Sequence, residues 1–146
     1  MNVLLTTSLL TTLWSGLVLG ISFVAQPAKF ATPQLPRPIA LATGRQMFRA
    51  MHLAESVLAI SALLLSVAGA APRLWPVFGA ALMLLTQMIV LMPPLSARVD
   101  LRLAGKTPPA SIWHALFGAS EVAKLILLAI ASLCPLLPVI HPLTYG

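Results

Sequence analysis

The chain has 146 residues, of which 59% are hydrophobic and only 8% charged, with a mean hydropathy of +0.97 and a formal net charge of +6. A water-soluble domain of this size has no use for so much apolar surface, so the composition excludes one and points to a chain that lives in a bilayer. Too little chain separates the apolar segments to hold a soluble catalytic domain, and residues 1–146 read as one integral-membrane domain.

The first segment, Val3 to Val24, is long enough to cross a hydrocarbon slab that takes about 20 helical residues. It has no basic stretch ahead of it and outruns a signal-peptide core, so it reads as a retained helix. Gly16 and Gly20 form a small-xxx-small pair, read first as a contact within the bundle and alternatively as a homodimer face; Gly79, Ala80, Ala81 and Gly118 offer further small positions. Trp14, and Trp75 later, read as packing or interfacial anchors. The Pro-rich "QPAKFATPQLPRP" is expected to end the helix, because proline lacks an amide donor and restricts the residue before it. The second segment, Met47 to Ala70, carries His52 and Glu55. The third, Trp75 to Met92, carries Thr86 and Gln87, whose expected use is a hydrogen bond across helices. A second Pro-rich stretch, "MPPLSARVDLRLAGKTPP", is expected to act as another stop. The fourth segment, Ile112 to Leu137, carries Trp113, His114, Glu121 and Lys124. The fold class that follows is an all-α, four-helix transmembrane bundle.

Orientation follows from the basic residues, since short cytoplasmic loops hold back Lys and Arg. Lys29, Arg37, Arg45, Arg49, Arg98, Arg102 and Lys106 flank the first and third connections, against Arg73 alone in the second. Both termini are therefore expected outside and the basic loops in the cytoplasm, where they also meet anionic headgroups. No nucleic-acid partner is expected, because the basic residues are not interleaved with aromatics or carried on a recognisable module.

Pro27 precedes Glu55 by 28 positions and Pro93 precedes Glu121 by 28, aligning "LAESVLAI" with "ASEVAKLI". This spacing allows a parallel repeat of two helical hairpins about an axis along the membrane normal. The two glutamates would then lie at matching depth, about 9–12 Å inward at a rise of about 1.5 Å per residue.

Of three carboxylates in the chain, Glu55 and Glu121 fall inside membrane segments and only Asp100 lies outside them. An ionised side chain in mid-bilayer costs at least about 2.5–3.5 kcal/mol, so such groups face the bundle interior and find partners. Lys124, three residues beyond Glu121 on the same helical face, can neutralise either glutamate. Two readings stay open. One is a structural cluster of Glu55, Glu121 and Lys124 that orients the helices. The other is a proton- or ion-exchanging site, in which two neighbouring carboxylates cannot both ionise cheaply and His52 connects them to the basic-loop side.

His52 with Glu55 and His114 with Glu121 superficially resemble a di-metal carboxylate bundle, but His114 is about 10 Å along the axis from Glu121 and the Glu-x-x-His order is reversed. A reduced site of His52, Glu55 and Glu121 is a weaker alternative. Haem ligation by His52 and His114 suffers from their offset of about 6 Å when the glutamates are level. No metal ligand is assigned and the cofactor is left unknown. The single Cys134 excludes an internal disulfide and reads as packing, and His114 and His141 read as surface residues. No catalytic residues are found: no serine sits with a suitable His and acid, and there is no glycine-rich phosphate loop.

The stretches "LWSGLVLGISFVAQPAKFATPQLPRPIALATGRQMF" and "LMPPLSARVDLRLAGKTPPASIWHALFGASEVAKL" resemble the first hairpin and the last loop and helix of small bacterial membrane proteins. These belong to an uncharacterised domain family related to eukaryotic transmembrane protein 205. The resemblance implies four helices in a bacterial inner membrane and brings no catalytic residues. The leading functional expectation is a non-enzymatic accessory or interaction subunit whose partners are lipid, other membrane chains or copies of itself. The alternative is a small proton- or ion-coupled transporter using Glu55 and Glu121; a metal- or haem-binding redox protein is weaker.

Overall fold

A computed structural model describes residues 3–69 and 74–133; Arg73, Cys134, His141 and the part of the fourth segment beyond residue 133 lie outside them. The described residues form four helices long and apolar enough to cross a membrane: α1 (Val3–Ala31), α2 (Arg37–Ala68), α3 (Trp75–Leu103) and α4 (Trp113–Leu133). Each packs on two neighbours, in the ring order α1, α2, α3, α4 and back to α1. Large side chains such as Leu9, Leu13, Leu53, Leu64 and Ile126 face outward, as expected where lipid tails are as apolar as the helices themselves.

The helices run farther than the Pro-rich stretches suggested. Pro27 and Pro93 do not stop α1 and α3; each follows a π-helical turn, Leu19–Ala25 and Gln87–Leu91, and the helix resumes at Gln26 and Met92. A proline cannot donate the amide bond of a regular turn, and its ring crowds the carbonyl four residues back. The wider i to i+5 turn just upstream lets the chain continue past it. The same device recurs 66 positions apart, at the spacing that also separates Glu55 from Glu121. Pro38 sits in the first turn of α2, where its missing donor costs nothing. The first connection therefore shrinks to residues 32–36. The third begins at a turn after Leu103, where Gly105 takes φ +73°, a left-handed conformation that suits glycine.

Trp14, fully buried, is packed with Val18, Ala59, Ala80, Leu84 and Leu128; a second group of Ala62, Val77 and Ala131 lies beside it. Alanines opposite the indole let four helices close around one large ring. Gly79 serves the same end, since a Cβ there would stand 3.1 Å from Leu127 on α4. Gly16 and Gly20 do not: both are exposed, and a Cβ on either would meet nothing within 4 Å. The expectation that they make a contact within the bundle is corrected, because the interior face of α1 is set by Thr7, Thr11, Trp14 and Val18, and the glycines fall off it.

Candidate functional site: a buried charged cluster

Three helices meet at the Lys124 ammonium. Its three N–H donors reach Glu55 Oε1 on α2 at 2.6 Å, Gln87 Oε1 on α3 at 2.7 Å and Glu121 Oε1 one turn back on α4 at 3.2 Å. Helix α1 joins through two donors: Trp14 Nε1 gives a 2.7 Å bond to Glu55 Oε1, and the Ser22 hydroxyl gives a 3.2 Å bond to Glu121 Oε2. Gln87 Nε2 bonds Glu121 Oε1 at 2.9 Å and Ser120 Oγ at 2.8 Å. Lys124, Gln87 and Glu55 have no exposed surface, and Glu121 has 1%. Low dielectric makes each of these charge-assisted bonds strong, and makes an unpaired partner costly.

Helical spacing explains who contributes. The interior stripe of α2 runs through Met51, His52, Glu55, Ala59 and Ala62, and that of α4 through Phe117, Glu121, Lys124 and Leu128. Three- and four-residue steps keep each set on one face, and the ring packing brings the stripes together.

The cluster is not fully satisfied. Glu55 Oε2 and His52 Nε2 are buried without a hydrogen-bond partner, and they lie 4.0 Å apart. The His52 ring is held near Phe48 and Phe117, at centroid distances of 6.3 and 6.1 Å. It also lines a cavity of about 360 Å³, with Arg49, Met88, Met92, Pro93 and Ser96, on the side of the basic connections. Toward the other end, the Thr11 and Ser132 hydroxyls share a 2.9 Å bond, and Ser8 Oγ and Ser66 are buried nearby on α1 and α2.

Sequence reasoning singled out Glu55, Glu121, Lys124 and His52, and the four lie together here. It assigned Gln87 only a generic interhelical bond and missed Trp14 and Ser22. A usable signal existed for Trp14, because an indole N–H placed among apolar neighbours needs an acceptor. The reduced metal site of His52, Glu55 and Glu121 meets an obstacle: the position between the carboxylates is held by an ammonium. His114 is exposed at the basic end, outside the cluster. No group of three or more His, Cys, Asp or Glu residues among those described could hold a metal ion.

Four apolar spanning helices around a buried charged centre define a multi-pass helical membrane protein. Residues 9–104 match the model of a family described as a domain of unknown function, DUF4149, and the chain belongs to that family. The matched stretch carries Trp14, Ser22, His52, Glu55 and Gln87 but ends before Glu121 and Lys124. No curated protein and no solved structure matches the chain significantly.

Proposed function

We propose that the protein is a small proton-coupled membrane protein in which Glu55 and His52 exchange a proton with the basic-loop side. The observation that carries this reading is the 4.0 Å gap between two buried, unpartnered atoms, Glu55 Oε2 and His52 Nε2. With both carboxylates ionised the cluster has one positive charge against two negative ones, and an uncompensated charge in low dielectric is expensive. One added proton balances it. Glu55 Oε2 has no competing donor, and His52, whose chemistry suits a shuttle, lies between it and the 360 Å³ cavity. Glu55 is the exchanging carboxylate, with Glu121 and Lys124 beside it setting the charge of the cluster. The Thr11, Ser132 and Ser8 hydroxyls supply polar groups on the far side of Trp14.

Proteoliposomes given a pH jump test this, with a trapped pH dye as readout. The wild type is expected to pass protons, Glu55→Gln to stop the flux and Asp100→Asn to leave it. Wild-type flux no faster than empty vesicles, or an unimpaired Glu55→Gln, overturns the proposal.

A second reading, an accessory or interaction subunit of a larger membrane assembly or a homo-oligomer, is supported by the outward Gly16 and Gly20. They leave a bare strip of α1 on which another helix can lie closely. Under it, a mild-detergent preparation contains additional chains or copies, and Gly20→Leu releases them. By the seven-to-one bias in basic residues we also assign the basic connections to the cytoplasm of a bacterial inner membrane. The relation to transmembrane protein 205 and the two-hairpin repeat belong to the same proposal; the recurrence of the π turns at the 66-residue spacing supports the repeat.

A further inference from the structure

A cavity of about 430 Å³ opens at the basic end of the bundle, between the end of α1, the start of α2, the end of α3 and the start of α4. Lys29, Arg37, Arg45, Arg98 and Arg102 line it. No carboxylate among the described residues lines it; Asp100, outside the lining, pairs with Arg45, so five cationic groups have one anion among them. Their existing bonds leave much of this charge uncompensated. Lys29 bonds the neutral Gln26 Oε1, and Arg98 bonds the Pro109 carbonyl at 2.6 Å. Arg45 keeps a buried Nε with no hydrogen-bond partner. The Arg37 and Arg102 side chains make no hydrogen bond or ion pair with other described residues. The inner wall is apolar, with Phe30, Leu41, Phe48, Leu95 and Phe117. Gly44 also lines it, and a side chain there would run into Lys29 and Gln26.

We propose that this cavity is a binding site for the phosphate group of an anionic amphiphile. Guanidinium forks match phosphate oxygens, and clustered like charges at no fixed partner are costly unless an anion joins them. The apolar wall distinguishes this site from a merely basic loop, because it gives the acyl or glycerol part attached to the phosphate a surface to cover. Depth agrees. Arg45 is ten residues from Glu55 along α2, about 15 Å at the helical rise, which sets the cations at headgroup level when Glu55 lies within the hydrocarbon. Basic pockets between helices at this level are suited to anionic headgroups.

The test is native mass spectrometry and thermal stabilisation of the full chain in a neutral detergent. It is titrated separately with phosphatidylglycerol, with phosphatidylcholine and with glycerol phosphate. Phosphatidylglycerol is expected to bind and stabilise where phosphatidylcholine does not. Arg37→Gln/Arg102→Gln removes two exposed, unpartnered cations that hold no helix together, and should weaken binding roughly thirty-fold. Lys106→Gln, equally exposed but outside the cavity, should bind as the wild type does. Glycerol phosphate binding as tightly as the lipid, with the same loss in the double variant, keeps the phosphate contacts but overturns the amphiphile as occupant in favour of a soluble phosphate. Equal affinity for both phospholipids, or binding unchanged in the double variant, overturns the proposal.

Discussion

Replacing Lys124 with Met keeps the volume and apolar stem of the side chain but removes the only ammonium among the described residues that touches both buried glutamates. The substitution deletes contacts of 2.6 Å to Glu55, 2.7 Å to Gln87 and 3.2 Å to Glu121 at once. Removing one partner of a buried ion pair costs about 3–5 kcal/mol, chiefly because the remaining charge loses compensation. Here two carboxylates are left, with Trp14, Ser22 and Gln87 as their remaining donors. Against a total stability of about 5–15 kcal/mol, the variant should be folded only marginally. Reversible unfolding in mixed micelles, followed by circular dichroism, measures the loss. Two companion measurements sharpen it. The triple variant Glu55→Gln/Lys124→Met/Glu121→Gln should recover most of the stability, since neutral amides at both sites remove the uncompensated charge. A double-mutant cycle should give Lys124 a larger coupling to Glu55 than to Glu121, as the shorter contact requires. A loss below about 1 kcal/mol for Lys124→Met would refute the reasoning, because it would mean that the ammonium contributes no more than a solvent-exposed pair.

Trp14→Phe keeps most of the packing but removes the 2.7 Å donor to Glu55; a hydrogen bond to a charged group is worth about 1.5–3 kcal/mol, and the same unfolding assay should register that loss, with Trp14→Leu costing more through the cavity it leaves. Two glycines should behave in opposite ways. Gly79→Leu forces a side chain against Leu127 and should destabilise by about 1–3 kcal/mol, whereas Gly16→Leu points into open space and should stay within about 0.5 kcal/mol in unfolding of the isolated chain.

The spanning segments were readable because the bilayer imposes a length and a polarity on any helix that crosses it, and those constraints appear directly in composition. Helix ends were read less well. Prolines that end helices in water were carried here by π turns at Leu19–Ala25 and Gln87–Leu91. A π turn leaves no residue-type signature, since the extra residue per turn is a matter of backbone bonding rather than side-chain chemistry. The interior face of α1 was also ambiguous: its glycines suggested one packing face, and its threonines with Trp14 another. Nothing local favours either until the other helices surround them.

By itself the sequence determined that four segments are long and apolar enough to cross a membrane and that Glu121 and Lys124 share a helical face, since their three-residue spacing is fixed by the helix itself. The tertiary structure decided that the ammonium lies closer to Glu55, on another helix, than to its own neighbour. It also put an indole and a serine from α1 onto the two carboxylates, and left one oxygen of Glu55 facing the imidazole. Spacing along one helix is local geometry and can be counted along the chain. Which stripes face one another depends on the rotation of each helix about its axis, and that is set by the packing of all four together.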